Sequence, residues 1–390
     1  MFNQSFAKHA TKLIILASLV VFLVIIGVCN AIPRQSILAN RQSLTYTSSS
    51  CKFPAIFNFG DSNSDTGGWS ATFGQAGPPN GETFFHAPAG RYSDAERLGI
   101  PYLDAYLDSM GSNFSHGANF ATAGSTISHQ NHTSRIQFPL NVQIYQFHDF
   151  HHRSAILRDQ LGEVFKNLLP RTEYFSQALY TFDIGQNDLT AIYFAESLDQ
   201  VKAIILDILD QFQIIYEGQG GRYFWIHNTG PLGCLTYVLN GFPQNNASQF
   251  DQNGCAIPLN EVAQFFNLNL KKVVAQLRKD LPLAAITYVD IYSIKYQLIS
   301  QALKLGFENP FIVCCGHGGK SNYDVKNGCG TKVIENGKEV LVESCKDPSV
   351  RINWDGAHYT EAANKWVFDH LANGSYSDPP IPLNMACHKQ

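Results

Sequence analysis

Charged residues are scarce in this sequence: Asp, Glu, Lys and Arg make up 15% of the 390 residues, and the net charge is −4. No stretch is strongly basic, so the chain offers no electrostatic complement to the phosphates of a nucleic acid or to an acidic membrane surface. We therefore expect no nucleic-acid partner. Hydrophobic residues make up 45% of the chain, which is enough for a large buried core and favours one large α/β unit over two ordinary domains.

Several motifs of known chemistry are missing or incomplete. No G-x-S-x-G elbow is present, which excludes the nucleophile of an ordinary α/β-hydrolase. Gly319-Lys320-Ser321 looks like the end of a phosphate-binding loop, but Cys314 stands where that loop requires its first glycine. His148, His151 and His152 have no acidic partner at ligand spacing, so they are interpreted as a solvated helix face rather than as a metal site.

Long apolar runs are absent beyond the N-terminus. Residues 13–28 are apolar and uncharged, follow Lys8 and Lys12, and precede small residues. This run is shorter than the roughly 20 residues that a membrane-spanning helix needs, and its pattern is typical of a secretory signal cleaved near residue 31. The alternative is an uncleaved membrane anchor. We expect residues 1–31 to be a signal peptide and the mature protein to be secreted, with no stable membrane insertion after cleavage.

The cysteines fit an exported chain. Of the nine cysteines, eight remain once Cys29 is removed with the signal, and an even number favours disulfide bonds. No paired C-x-x-C is present, so a zinc site is the weaker alternative. At least one disulfide is expected where four cysteines crowd together, at Cys314, Cys315, Cys329 and Cys345.

Export also predicts glycans. Asparagine in the motif N-x-[ST] accepts them when it lies on a surface loop. Beyond the signal, four positions carry this motif: Asn113, Asn131, Asn246 and Asn373.

Strand and helix patterns alternate along the rest of the chain. Residues 32–50 are polar and serine-rich and are predicted to be a flexible lead-in. Strands are then expected at residues 53–59, 178–184, 222–227 and 286–289. Helices are expected at residues 139–150, 154–169, 196–217, 260–280, 360–372 and from the last strand to 305, and long loops at 68–94 and 306–350. This order predicts right-handed β-α-β units and a mostly parallel sheet covered on both faces.

A serine follows the first predicted strand. In parallel sheets the chemistry lies at the carboxyl ends of the strands, and Ser62, Asn187 and Asn228 all fall just beyond predicted strand ends. A serine at a strand-to-helix turn can expose its hydroxyl while its N–H points at a developing negative charge. Taken alone, Ser62 could equally cap a helix.

A base for this serine stands near the other end of the chain. Asp355 and His358 are three residues apart, so in a turn their side chains point the same way, and Asp355 can orient one ring nitrogen while the other faces Ser62. Taken alone, the pair could simply open a helix. Asn187 and the N–H of Gly124 could stabilise an oxyanion, although each could also be ordinary turn chemistry.

Four blocks occur in order: Gly60-Asp61-Ser62, Asn119-Phe-Ala-x-x-Gly124, Gly185-x-Asn187-Asp188 and Asp355-x-x-His358. Together they resemble the SGNH hydrolases, specifically the plant-type GDSL esterase/lipase family. The resemblance covers about residues 51–388, which are expected to form a single domain. It implies a three-layer α/β/α, flavodoxin-like fold with a mostly parallel sheet, and serine-dependent hydrolysis of carboxylic esters, and we expect neither a metal nor a cofactor.

The same resemblance assigns roles to residues. Ser62 is the implied nucleophile, His358 the base and Asp355 the acid that orients it. The implied oxyanion hole consists of the N–H groups of Ser62 and Gly124 and the side-chain amide of Asn187.

The resemblance indicates only a broad class of substrate and a general location for the protein. The family acts on acetylated wall polysaccharides, acylated small metabolites and lipids, which implies a small-molecule or polysaccharide ester substrate and an apoplast or cell-wall location. Aromatic residues of the 68–94 loop could stack on a sugar, line an acyl pocket or be plain core: Trp69, Phe73, Phe84, Phe85 and Tyr92. A catalytically impaired binding protein on the same scaffold and a glycosidase, which would need two carboxylates flanking a cleft, remain alternatives.

Two departures from the family pattern are visible. Asn63 follows Ser62 where the family name expects Leu, and we expect little effect because this position is adjacent to the chemistry but not part of it. The segment 90–99 is shorter than in relatives by roughly one to two helical turns. Its loss is expected to uncover apolar surface, to make Asp94–Gly99 the weakest point of the fold and to put the activity in doubt.

Overall fold

The computed structural model describes residues 50–85, 103–108, 110–128, 138–160, 162–195, 197–216, 220–242 and 247–389. The predicted signal peptide, the lead-in up to residue 49 and the shortened segment 90–99 lie outside the described residues, as do Asn131 and Asn246. The described glycosylation motifs, at Asn113 and Asn373, have exposed asparagines, and their modification stays a prediction.

A six-stranded sheet forms the centre of the fold, in the order β2-β1-β3-β4-β5-β8. The first five of these strands are parallel, and β8 pairs antiparallel with β5 at the edge. The strands are β1 (Ile56–Gly60), β2 (Gly117–Asn119), β3 (Leu179–Asp183), β4 (Tyr223–His227), β5 (Ala285–Val289) and β8 (Ser377–Asp378). A separate hairpin consists of β6 (Lys332–Glu335) and β7 (Lys338–Leu341).

Helices cover both faces of this sheet. They are α1 (Gly68–Phe73), α2 (Glu82–Phe85), α3 (Leu140–Gln160), α4 (Glu163–Leu168), α5 (Tyr174–Gln177), α6 (Gln186–Ala195), α7 (Leu198–Tyr216), α8 (Thr236–Gly241), α9 (Ile257–Asp280), α10 (Ile291–Ser300) and α11 (Glu361–Ala372). Helices α3, α6, α7 and α9 bury their apolar residues against one face, and α10 and α11 against the other. The predicted three-layer α/β/α architecture is confirmed.

Side chains alternate across β1 as the two-residue period of a strand requires. Phe57 and Phe59 enter one core cluster and Ile56 enters the other. Phe57 is fully buried. Its ring stacks on Phe175 with 4.9 Å between centroids and meets Phe147 edge-on at 5.1 Å. The strand that precedes Ser62 is therefore anchored by aromatic packing.

Three sequence expectations need correction. Helix α3 runs from Leu140 to Gln160 without the predicted break, because its buried positions continue at helical spacing to Ser154, and the next helix starts at Glu163 rather than at residue 154. The 68–94 segment contains α1 and α2, and the 306–350 segment contains the β6–β7 hairpin. The helix after β5 ends at Ser300 and is followed by a 3₁₀ turn.

Four disulfide bonds are formed: Cys51–Cys387, Cys234–Cys255, Cys314–Cys345 and Cys315–Cys329. The expected cross-link in the crowded region is confirmed, and all four cysteines there are paired with each other rather than available to zinc. No helix in the described part of the chain is both long enough and apolar enough to cross a membrane.

Replacing Phe57 by alanine should destabilise the fold strongly. Loss of a buried phenylalanine ring leaves a cavity among rings that cannot close in, so Phe57→Ala should lower the free energy of unfolding by about 3–5 kcal/mol. Urea denaturation monitored by circular dichroism measures it. Tyr145→Ala on α3 is the control: this side chain is 71% exposed, so the change should stay within about 0.5 kcal/mol. Equal losses at the two positions would contradict the assigned core.

Candidate active site

Ser62, the predicted nucleophile, lies at the switch point of the sheet, where the strand order reverses. In a sheet of order 2-1-3-4-5, ligands bind in the crevice beyond the carboxyl ends of the strands that flank the switch point, here β1 and β3. Ser62 follows β1, and Asn187 lies in the first turn of α6, just after β3. The topology therefore brings the two residues to one edge of the sheet.

The turn that carries Ser62 is tightly fixed. The side chain of Gln143 bonds both backbone groups of Gly60, accepting from its N–H at 3.0 Å and donating to its carbonyl at 2.8 Å. A Cβ at Gly60 would lie 2.6 Å from the carbonyl oxygen of Asp183, so only glycine fits there. Ser62 itself is partly exposed, and neither its hydroxyl nor its N–H bonds another described residue. Both groups are thus available to a substrate.

Asp355 and His358 form the predicted acid–base pair. Nδ1 of His358 lies 2.6 Å from Oδ2 of Asp355, and the other carboxylate oxygen accepts the N–H groups of Ala357 and His358. Burial raises the pKa of Asp355, but the charge and hydrogen bond of His358 and these backbone N–H groups outweigh it and lower the pKa to about 2. Asp355 is therefore ionised at neutral pH and holds Nδ1 as a donor, which leaves Nε2 as the basic nitrogen.

Disulfide-bonded loops support this pair. The N–H groups of Cys314 and Cys315 donate to the carbonyls of Asn353 and Trp354, and the N–H of Trp354 donates to the carbonyl of His358. Both cysteines are cross-linked further along the same loop. The covalent links therefore brace the segment on which Asp355 and His358 stand.

Two groups lie ready as oxyanion donors. Gly124 has φ 83°, in the left-handed region that favours glycine, and its N–H finds no acceptor within the described ranges. Nδ2 of Asn187 donates to the carbonyl of Ser125 at 2.9 Å. This bond orients the amide and leaves its second hydrogen for another acceptor.

A buried carboxylate, that of Asp61, directly precedes Ser62 in the chain. Oδ1 of Asp61 accepts both the N–H and the side-chain amide of Asn63 at 2.9 Å, while its buried Oδ2 has no partner in the described part of the chain. Burial and the negative charge of Asp183 raise the pKa of Asp61 to about 7, against lowering contributions from Asn63 and His358. The lowering contribution of His358 means that its imidazole lies within electrostatic range of the Ser62 turn.

Asn63 thus does more than its position suggested. Besides holding Asp61, its side-chain oxygen lies 3.5 Å from Nζ of Lys295, which in turn stands 5.0 Å above the ring of Tyr359. Asp183 lies 3.3 Å from Nδ1 of His227. Burial raises the pKa of Asp183, but His227 and then Lys295 lower it overall. The charged network thus consists of Asp61, Asp183, His227 and Lys295. Sequence reasoning missed it because these residues lie on four separate elements.

Asn228, the third polar residue beyond a strand end, serves another purpose. Its amide donates to Tyr288 and Asp290, and its oxygen accepts the N–H of Tyr292. These bonds join the end of β4 to the start of α10. Asn228 is therefore structural, whereas Ser62, Asn187, Gly124 and the Asp355–His358 pair contribute to the candidate site.

Comparison with known proteins places the chain among esterases. The model of the GDSL-like lipase/acylhydrolase family matches residues 56–371. A GDSL esterase/lipase of Arabidopsis thaliana is 58% identical over 87% of this chain and 93% of its own length. An esterase of Hevea brasiliensis is 53% identical over 92% and 95%. A protein of Arabidopsis thaliana named alpha-L-fucosidase 3 is 56% identical over 87% and 93%.

Asp61→Asn should flatten the pH dependence of stability. Because folding raises the pKa of Asp61 from 3.8 to about 7, the stability it contributes is complete below about pH 4 and is lost as the pH rises through about 7. The melting temperature of the wild-type protein should therefore fall more between about pH 5 and pH 8 than that of the variant. Differential scanning calorimetry measures both. The exposed Asp159→Asn serves as control and should keep the wild-type slope; the same slope in Asp61→Asn would refute the assignment.

Proposed function

The chain belongs to the GDSL-like lipase/acylhydrolase family and is a carboxylic-ester hydrolase, and we propose that it cleaves acyl or acetyl esters through an acyl-enzyme on Ser62. One observation carries this proposal: Asp355 orients His358 through a hydrogen bond of 2.6 Å, within electrostatic range of Asp61, and the neighbouring Ser62 bonds no other described residue.

The first half-reaction forms the acyl-enzyme. Nε2 of His358 takes the proton of Ser62 as Oγ attacks the ester carbonyl carbon, and Asp355 stabilises the imidazolium that results. The carbonyl oxygen becomes an oxyanion and accepts from the N–H groups of Ser62 and Gly124 and from Nδ2 of Asn187. Collapse breaks the ester C–O bond, and the alcohol leaves with the proton from His358.

The second half-reaction uses water. His358 removes a proton from the water as its oxygen attacks the acyl carbon, and the same three donors hold the second oxyanion. Collapse releases the carboxylic acid and returns the proton to Ser62 Oγ. Each atom and proton is thus accounted for by the substrate, one water and the three side chains.

Exposed aromatic residues bear on the class of substrate, and the disulfides bear on the location of the protein. Phe73 is 41% exposed and packs on Trp69 at 4.5 Å between ring centroids. The two rings follow Ser62 by eleven and seven residues, and such a pair suits an acyl chain or a sugar face. Four disulfides suit an oxidising compartment, and the relatives compared are plant proteins. We place the enzyme outside the cell, in the apoplast or wall, with glycans on Asn113 and Asn373.

Ser62→Ala and His358→Ala should each lower kcat on p-nitrophenyl acetate by on the order of 10⁴-fold or more, because the triad acts as a unit. Ser125→Ala is a matched control, since the Ser125 hydroxyl is buried with no partner in the described ranges, and its activity should persist. A serine-directed phosphonate should label Ser62. Near-normal turnover by Ser62→Ala, or labelling at Ser125, would overturn the assignment. Glycoside turnover that survives Ser62→Ala would instead support a glycosidase.

Asn187→Ala should lower kcat by on the order of 10²–10³, as expected for one lost oxyanion donor. KM should change little, because the donor acts mainly on the transition state. Steady-state kinetics on the same ester separates the two constants. If kcat stays unchanged while KM rises sharply, Asn187 binds substrate instead.

A further inference from the structure

Two buried carboxylates hold the loop that carries Gly124, one on each side. On the N-terminal side, Oδ2 of Asp65 accepts the N–H of Ala123 at 2.7 Å. On the C-terminal side, the carboxylate of Asp188 accepts the N–H of Ile127 at 2.9 Å and that of Ser128 at 3.3 Å. Asp65 is 1% exposed and Asp188 is fully buried. Gly124 therefore lies between two fixed points.

Asp65 joins this loop to the segment after the nucleophile. Its Oδ1 accepts the N–H groups of Gly67 and Gly68, each at 2.7 Å, and its Oδ2 accepts that of Trp69 at 3.0 Å. Those three bonds alone would suffice to cap α1. The fourth bond, to Ala123, ties the start of α1 to the Gly124 loop. A Cβ at Gly68 would lie 2.7 Å from the carbonyl oxygen of Ala121, so the two segments are in direct contact.

Asp188 acts together with its neighbour Asn187. While the Asn187 amide donates to the carbonyl of Ser125, Asp188 accepts the N–H groups of Ile127 and Ser128. The start of α6 therefore bonds the loop at three places, Ser125, Ile127 and Ser128. Gly124 and Asn187, the two proposed oxyanion donors, thus belong to one hydrogen-bonded unit.

The peptide groups around Gly124 show what this arrangement achieves. The N–H of Ala123 is bound by Asp65, and the N–H of Ser125 donates to the carbonyl of Thr122 at 3.1 Å. The N–H between them, that of Gly124, is left without an acceptor in the described part of the chain. Because the peptide groups on both sides are held by hydrogen bonds, the Gly124 N–H keeps a fixed orientation. It therefore needs no reorganisation when negative charge develops on the substrate.

We propose that Asp65 and Asp188 are positioning residues of the oxyanion hole, which fix the direction of the Gly124 N–H without touching the substrate. This inference rests on the proposed function, because it takes Gly124 as an oxyanion donor. In this role the two aspartates stabilise the transition state, which affects kcat, and leave the binding of substrate unchanged. A merely structural role would lower stability and leave the kinetic constants of the folded enzyme alone.

The test uses Asp65→Asn and Asp188→Asn in the full chain, on p-nitrophenyl acetate, below the melting temperature of each variant. Asparagine keeps the shape but replaces one acceptor oxygen by an NH₂ group, which repels the backbone N–H groups it meets. Each variant should lose about 10–100-fold in kcat, less than removal of a donor, with KM nearly unchanged. Affinity for a boronic acid, which forms a tetrahedral adduct with serine, should fall by the same factor.

Asp251→Asn is the matched control. Asp251 also accepts two backbone N–H groups of a loop, those of Asn253 and Cys255, but it holds no part of the site. Its variant should lose thermal stability while kcat stays within about twofold of wild type. Each of the two variants tests one side of the Gly124 loop. If one of them fails to fold, the kinetic constants of the other still decide whether the inference holds. The double variant should lose less than the product of the single losses, because both act through one N–H.

The outcomes separate this inference from the proposed function. If Ser62→Ala abolishes turnover but Asp65→Asn and Asp188→Asn keep wild-type kcat and boronic-acid affinity, the aspartates are only structural and the inference fails alone. If Ser62→Ala stays active, the proposed function fails and the inference falls with it. A rise in KM at constant kcat in the aspartate variants would also contradict positioning.

Discussion

Hydrogen bonds from backbone N–H groups to buried carboxylates hold every loop of this site in place. A carboxyl group away from water is costly unless it is hydrogen-bonded or protonated, so the N–H groups that meet each of them constrain the path of the backbone. Asp355 receives the N–H groups of its own turn, Asp61 that of Asn63, and Asp65 those of two separate segments. These bonds fix the loops at the carboxyl edge of the sheet in position relative to one another.

The sheet order decides which loops meet at this edge. Because β1 lies between β2 and β3, the loops after these three strands converge, and they supply Ser62, Gly124 and Asn187. The acid–base pair arrives from a distant part of the chain and is not carried by a sheet strand. Its position depends instead on hydrogen bonds to the loop that Cys314–Cys345 and Cys315–Cys329 close. The formation of these two disulfides and the placement of the Asp355–His358 pair are thus physically linked.

Sequence patterns predicted the long elements well and the short ones poorly. Strands β1, β3, β4 and β5 were located to within a few residues, since buried parallel strands read as apolar runs. Strand β2 was missed because three residues, Gly117–Asn119, carry too little pattern. The false break in α3 fell at residues 148–153, where polar residues flank the buried Phe150 and weaken the apolar pattern. Helix α1 was taken for a loop, although the Asp65 carboxylate accepts the N–H groups of Gly67, Gly68 and Trp69 at its start.

By itself the sequence determined the fold class and, through its resemblance to the GDSL family, the ester-cleaving chemistry, and it predicted the reacting groups, because strand periodicity and four short blocks are local properties of the chain. Only the tertiary structure decided how those groups are supported. Asp65 meeting Ala123, Lys295 reaching Asn63, and the shift of the Asp61 pKa to about 7 all depend on burial and on contacts between segments far apart in the chain. Dielectric environment and long-range hydrogen bonds belong to the packed molecule, so no reading of residue order could contain them.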